Sequence, residues 1–248
     1  MKIFRTIYSS LIVIPLTLVF TFITILIAPI DFFERKDRLS KGLLGRGGIW
    51  VKQNWFGLVL SLHRIKVRVE GPGLSALQAV KGAVFVANHQ SVLDIPAIST
   101  VIPKNSTFLA KKELKHIPFF GWAAIIVGTQ FIDRARGRRD KSLGELNELI
   151  QKGVSVILFP EGTRSLDGNL LSFKHGAFAI AIKNQAPVVP LTIFGSRLLC
   201  PKGSLTVLPG EIRVHVGNPI STKGMTDEDR SRLAENVKGL ITKQLNQG

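Results

Sequence analysis

The chain has 248 residues, 45% of them hydrophobic and 20% charged, and its 33 Lys and Arg against 17 Asp and Glu leave a formal net charge of +16. That length suits one α/β domain with an N-terminal addition, and the charge calls for an acidic partner: nucleic acid, an anionic membrane surface or a phosphorylated substrate. No RNA-recognition signature, zinc-finger spacing or zipper heptad accompanies the charge, so no nucleic acid partner is expected, and a lone cysteine, Cys200, excludes an intramolecular disulfide and an all-Cys metal site.

The first predicted element is Ile7 to Ile30, 24 residues without a charge, preceded by Lys2 and Arg5. About 20 apolar residues suffice to span a bilayer, and no small-x-small cleavage site follows, so the segment is expected to be retained. Pro15 in its interior allows a bent helix lying within one leaflet instead. A second apolar stretch, Gly47 to Leu62, carries Trp50, Trp55 and Phe56 with one charge, Lys52. Together the two predict a helical hairpin anchoring residues 1–63 to the membrane, ahead of an α/β domain over 64–248. Six Lys or Arg between Arg35 and Lys52, against two before the first segment, place that domain on the cytoplasmic side of an inner membrane.

From Ile65 the pattern alternates. Strands are predicted at Ile65–Val69, Ala83–Ala87, Thr107–Leu109, Gln130–Asp133, Val154–Phe159, Val188–Phe194, Leu205–Leu208 and Ile212–Val216. Helices are predicted at Ser75–Lys81, Val92–Val101, Phe119–Ile126, Lys141–Gln151, Phe173–Lys183 and Asp227–Leu245, the last with Leu233, Val237, Leu240, Ile241 and Leu245 on one stripe. Such alternation favours a mixed sheet flanked by helices.

The chemistry concentrates at strand ends. In Asn88-His-Gln-Ser-Val-Leu-Asp94, the imidazole of His89 leaves a strand just as Asp94 enters the first helical turn. From there the carboxylate accepts the imidazole N–H, fixes the tautomer and frees the other nitrogen to take a proton. Equally, Ser91 and Asp94 read as a variant capping box, with His89 an ordinary loop residue. Phe159-Pro-Glu-Gly-Thr-Arg-Ser165 follows a second strand, at the edge where open α/β sheets bind ligands. There Gly162 permits a tight turn, Arg164 offers a planar fork for phosphate, and Glu161 orients that arginine or meets a substrate hydroxyl; a surface turn held by a Glu–Arg pair is the plainer alternative. Phe131-Ile-Asp-Arg134 runs into further arginines, of which Arg134 lies nearest the strand, and Lys111 or Lys112 adds a weaker phosphate candidate. Gly71-Pro-Gly-Leu-Ser-Ala76 matches a loose dinucleotide pattern, but Pro72 and the lack of an acidic ribose partner make it a plain turn. No P-loop or nucleophile elbow occurs, so a covalent serine or cysteine mechanism has no support. No two of the five histidines stand at metal-ligand spacing, and no metal is expected.

Taken in order, Asn88 to Asp94, Gly128-Thr-Gln-Phe-Ile-Asp-Arg134, Phe159 to Ser165 and Ala186-Pro-Val-Val-Pro190 resemble the four motifs of the glycerolipid acyltransferases, and more narrowly those of the bacterial 1-acyl-glycerol-3-phosphate acyltransferases. Gln130 and Ala186 depart from that pattern without removing a catalytic group. The resemblance implies transfer of an acyl group from acyl-CoA or acyl carrier protein to the sn-2 hydroxyl of lysophosphatidic acid, with no cofactor and with membrane lipids as surroundings. It implies His89 as general base oriented by Asp94, Arg164 on the acceptor phosphate with Lys111 and Arg134, a glycerol site shaped by Glu161, Gly162 and Thr163, and Pro187 to Pro190 on the donor side. Glycerol 3-phosphate, another lysophospholipid or a lyso-aminolipid as acceptor, and an inert lipid-binding protein, are the competing expectations.

Overall fold

The computed structural model describes residues 46–77, 79–116, 121, 124, 129–132 and 139–248, together with residues 7, 8, 11, 15, 16, 18–20, 22, 23 and 26. Seven strands form one sheet: β1 (Ile65–Glu70), β2 (Val84–Ala87), β3 (Ser106–Lys111), β4 (Gln130–Ile132), β5 (Ser155–Leu158), β6 (Val188–Phe194) and β7 (Gly210–Val216), in the order β1-β7-β6-β2-β5-β3-β4. Five of them, from β6 across to β4, run parallel. Then β7 pairs antiparallel with β6 and parallel with β1, which makes the sheet mixed.

Helices cover both faces, and this explains why β2 and β5 are apolar at nearly every position rather than alternating: a parallel strand buried on both sides has no solvent face. Phe85 and Ala87 of β2 point to one core, with Leu93, Ala97 and Ile98 around α3 (Asp94–Val101). Val84 and Val86 point to the other, filled by Leu146 and Ile150 of α4 (Arg139–Gln151), Phe178 and Ala181 of α5 (Gly176–Lys183), and Leu233, Val237 and Ile241 of α7 (Arg230–Leu245). The predicted stripe on the last helix is thus its buried face, except that Leu240 stays exposed.

Several expectations need correction. None of the described helices is long and apolar enough to cross a membrane. The second apolar stretch is the 17-residue helix α1 (Arg46–Leu62), and it docks on the body, burying Val51, Phe56 and Leu60 while Trp50 and Leu58 face outward. Burial draws in even Lys52, whose ammonium donates to the carbonyls of Ser106 at 2.9 Å and Lys104 at 3.4 Å. Most of Ile7 to Ile30, the linker after it and most of Phe119–Ile126 lie outside the described residues. The predicted strand Leu205–Leu208 does not form: the Leu208 N–H donates to the Leu199 carbonyl at 2.8 Å, so this stretch folds back on α6 (Ser196–Leu199) instead of extending the sheet. Among the described residues of the predicted helix Ser75–Lys81, those up to Leu77 belong to the short α2 (Leu74–Leu77), and 79–81 are not helical.

Candidate active site

Asn88 fixes the point where β2 ends. Its side chain is buried, accepting from the Ile193 N–H at 2.8 Å and donating to the Ile193 carbonyl at 3.0 Å, so the strand end is pinned to β6. His89 follows, and its backbone is held on both sides by the loop after β5. The His89 N–H donates to Glu161 Oε1 at 2.7 Å, and the His89 carbonyl accepts from the Ser165 N–H at 2.8 Å.

The side chain is held as firmly. His89 Nδ1 lies 2.8 Å from Asp94 Oδ2, and the same oxygen accepts the backbone N–H of Gln90 at 2.7 Å and of Ser91 at 2.8 Å. Ser91 Oγ in turn accepts the Leu93 N–H at 3.2 Å. One carboxylate oxygen of Asp94 therefore gathers the imidazole of His89 and the backbone N–H groups of Gln90 and Ser91; the Ser91 N–H bond is one arm of the expected capping box, while the Asp94 N–H donates to the Ser91 carbonyl at 3.3 Å and not to its hydroxyl. An ionised carboxylate only accepts, so the proton on this bond belongs to Nδ1 and the lone pair to Nε2. Asp94 is fully buried, the His89 side chain keeps 16% of its exposure, and the imidazole stacks on Phe159 with ring centroids 4.0 Å apart. The Asp94 bond occupies Nδ1 and leaves Nε2 outside it.

Glu161 is 4% exposed, and its second oxygen accepts the Leu171 N–H at 3.1 Å, so both oxygens serve backbone donors. Burial pushes the Glu161 carboxyl above the usual carboxylate range, against the lowering effect of those two bonds and of His89. It is a positioning residue for the His89 loop. Gly162 has φ +73°, a conformation that favours glycine, and the Lys174 side chain packs against it.

Thr163 is exposed and Arg164 half-buried. Burial raises the pKa of the Cys200 thiol, and the positive charge of Arg164 opposes the shift, which places the guanidinium within electrostatic reach of Cys200. Cys200 belongs to the His89 neighbourhood, since its carbonyl accepts the Ser91 hydroxyl at 2.6 Å. Arg164 precedes Ser165, whose N–H donates to the His89 carbonyl, so its backbone lies next to the His89 loop. Lys111 ends β3 on the same sheet edge and is exposed; Arg134 lies outside the described residues.

Two lysines and a cavity complete the site, and none was legible from spacing. Lys174 sits against Gly162, while Lys202 donates to Thr163 Oγ1 at 3.1 Å and to the Arg164 carbonyl at 2.9 Å. Both reach the site from distant sequence; the only local hint of Lys202 is the turn dipeptide after it. Behind Phe159 opens a cavity of about 370 Å³ whose lining includes Leu109, Ile132, Leu158, Ala177 and Ile180, with Lys174 and Lys183 among its polar groups.

The histidine at the end of β2 is thus clamped by the loop that follows β5, and Arg164 lies on that same loop. Residues 66–194 match the model of the Acyltransferase family. A 1-acyl-sn-glycerol-3-phosphate acyltransferase of Cocos nucifera is 32% identical over 92% of this chain and 70% of its own length. The alpha form of that enzyme from Homo sapiens is 35% identical over 69% of this chain and 62% of its own. The crystal structure of the 1-acyl-sn-glycerophosphate (LPA) acyltransferase, PlsC, from Thermotoga maritima superposes with a TM-score of 0.71 at 30% identity, covering 98% of this chain and 97% of that one. With the family model spanning more than half of the sequence and the fold shared end to end, the chain belongs to the acyltransferase family.

Proposed function

We propose that the protein transfers a fatty acyl group from a thioester, carried by coenzyme A or acyl carrier protein, to the sn-2 hydroxyl of 1-acyl-sn-glycerol 3-phosphate, giving phosphatidic acid. The observation that carries this reading is the 2.8 Å contact between His89 Nδ1 and Asp94 Oδ2, which leaves Nε2 to act as the base. Nε2 takes the proton of the acceptor hydroxyl as its oxygen attacks the thioester carbonyl. Asp94 stabilises the imidazolium that forms. The tetrahedral intermediate then collapses, the C–S bond breaks, and the thiolate leaves with the proton returned by Nε2. General-base action of this kind contributes ~10² to 10⁴-fold, and holding the two substrates together contributes further.

Arg164 binds the acceptor's phosphate, since a guanidinium fork matches phosphate oxygens in both charge and geometry; Lys111 and Arg134 are the further candidates at this edge. The cavity behind Phe159 takes an acyl chain, because its lining is mainly aliphatic and it adjoins the base. Membrane association supplies a lipid acceptor to such a site. Ile7, Leu11, Leu18, Val19, Phe22 and Leu26 are exposed, as are Trp50 and Leu58 on the outer side of α1, and the Tyr8 hydroxyl donates to the Leu62 carbonyl at 3.3 Å, which ties Tyr8 to the end of α1. The whole assembly carries a net charge of +16, and each Lys or Arg near an anionic surface contributes ~1 kcal/mol. We assign the protein to the cytoplasmic face of the membrane.

The test is an assay of purified protein with 1-acylglycerol 3-phosphate and both thioester classes, beside glycerol 3-phosphate and other lysophospholipids. Phosphatidic acid formation that disappears in a folded, membrane-bound His89→Ala supports the reading. Wild-type turnover by that variant, or exclusive use of another acceptor, refutes it.

A further inference from the structure

The connection between β6 and β7 turns back over the site. Gly195 (φ +82°) and Gly203 (φ +86°) bracket it, and it is seated on the His89 loop by the Ser91 hydroxyl bond to the Cys200 carbonyl and by an antiparallel bridge between Ser91 and Pro201. Two residues beyond Cys200, Lys202 crosses to the other loop of the site and donates to Thr163 Oγ1 and the Arg164 carbonyl. This one side chain ties together segments 38 and 39 residues apart in sequence.

We propose that Lys202 is a second phosphate-binding cation of the acceptor site, acting beside Arg164 and holding its loop in place. The proposal rests on the reading of the acceptor as a phosphate-bearing lysolipid. An ammonium has three donors, and both acceptors that Lys202 uses are neutral, which leaves a donor and the whole charge unspent. Among the described residues no carboxylate pairs with it. A lysine held this way sets its ammonium on the backbone of the loop that carries Arg164, and an ammonium and a guanidinium borne by one short loop both favour an anion beside them. A phosphate monoester, with a charge of about −2 near neutral pH, satisfies both. Were Lys202 only a tether, a neutral donor of similar length would serve as well.

That distinction sets the experiment: kinetics of the full-length protein as wild type, Lys202→Arg, Lys202→Gln and Lys202→Met, with thermal unfolding of each. Loss of a charge-assisted contact to phosphate is expected to raise the KM for 1-acylglycerol 3-phosphate about tenfold or more in both Gln and Met, with kcat and the donor KM within about twofold of wild type. Arg is expected to restore most of the acceptor affinity. A Gln variant indistinguishable from wild type overturns the proposal and leaves Lys202 a tether. So does a Met variant in which kcat and thermal stability fall while the acceptor KM stays put. If the wild type itself fails to acylate 1-acylglycerol 3-phosphate, the reading of the acceptor falls and this proposal with it; if only the variants behave as wild type, this proposal alone falls.

Discussion

Glu161→Gln separates a residue that seats the base from one that touches substrate. In the wild type one carboxylate accepts from the His89 N–H at 2.7 Å and from the Leu171 N–H at 3.1 Å. An amide offers one oxygen, so one of the two N–H groups must face an NH₂ instead. Losing a charge-assisted bond and leaving a buried donor unpaired costs ~1.5–3 kcal/mol. The same substitution removes a buried charge, and because burial outweighs the two bonds in raising the Glu161 pKa, relief of that burden offsets much of the loss. Net stability is therefore expected to move little, with Tm within about 4 °C of wild type. Activity responds differently, since nothing offsets a displaced base. A shift of about 1 Å at the reacting group costs roughly 100-fold, so kcat is expected to fall about 10- to 100-fold with both KM values nearly unchanged. Steady-state kinetics with acceptor and donor varied in turn, beside thermal unfolding, reads this out. A Gln variant with wild-type kcat and a raised acceptor KM refutes the positioning role and returns Glu161 to the glycerol site. The sign of the pH effect gives a second check. With its folded pKa raised, Glu161 contributes stability that is fully present below its unfolded pKa and lost as pH rises through the folded one; Glu161→Gln is expected to flatten that part of the profile.

Asp94→Asn retains an oxygen for its three N–H donors but loses the charge that stabilises the imidazolium, so kcat is expected to drop by ~10² to 10⁴ while circular dichroism stays native; a drop below fivefold in kcat counts against general-base catalysis. Lys52, desolvated with its pKa pushed down to about 8, disfavours its own charged form in the folded state. The unfolded chain then binds more protons than the folded one between that value and the ordinary 10.5. Stability is expected to gain up to about 3 kcal/mol from this group as pH rises across that window, a slope that Lys52→Met should lack in denaturant titrations. Ala177→Phe places a ring in the cavity behind Phe159 and is expected to shift preference toward shorter acyl chains in a competition assay, at a packing cost of ~1–3 kcal/mol; an unchanged chain-length profile removes the cavity from substrate binding.

What the sequence disclosed and what it withheld have a common physical cause. The β2 and β5 runs, Val84–Ala87 and Ser155–Leu158, are apolar throughout because both faces are covered, and a continuous apolar run is visible without knowing its neighbours. The His89–Asp94 pair is legible for the same reason: both groups sit within one turn, so their meeting is a local event. The backbone partners of Glu161 were not legible, because the two N–H groups that it serves belong to His89 and Leu171, and backbone donors look alike in any sequence. The Leu205–Leu208 stretch alternates well enough for a strand, yet strands need an edge to join, and β7 already occupies the place between β1 and β6. The apolar stretch before His63 carries the same ambiguity in another form. Composition reports that a helix will leave water, and only packing decides whether it leaves for lipid or for protein. In α1 the answer is divided along one helix, with Val51 and Phe56 against the body and Trp50 and Leu58 outward.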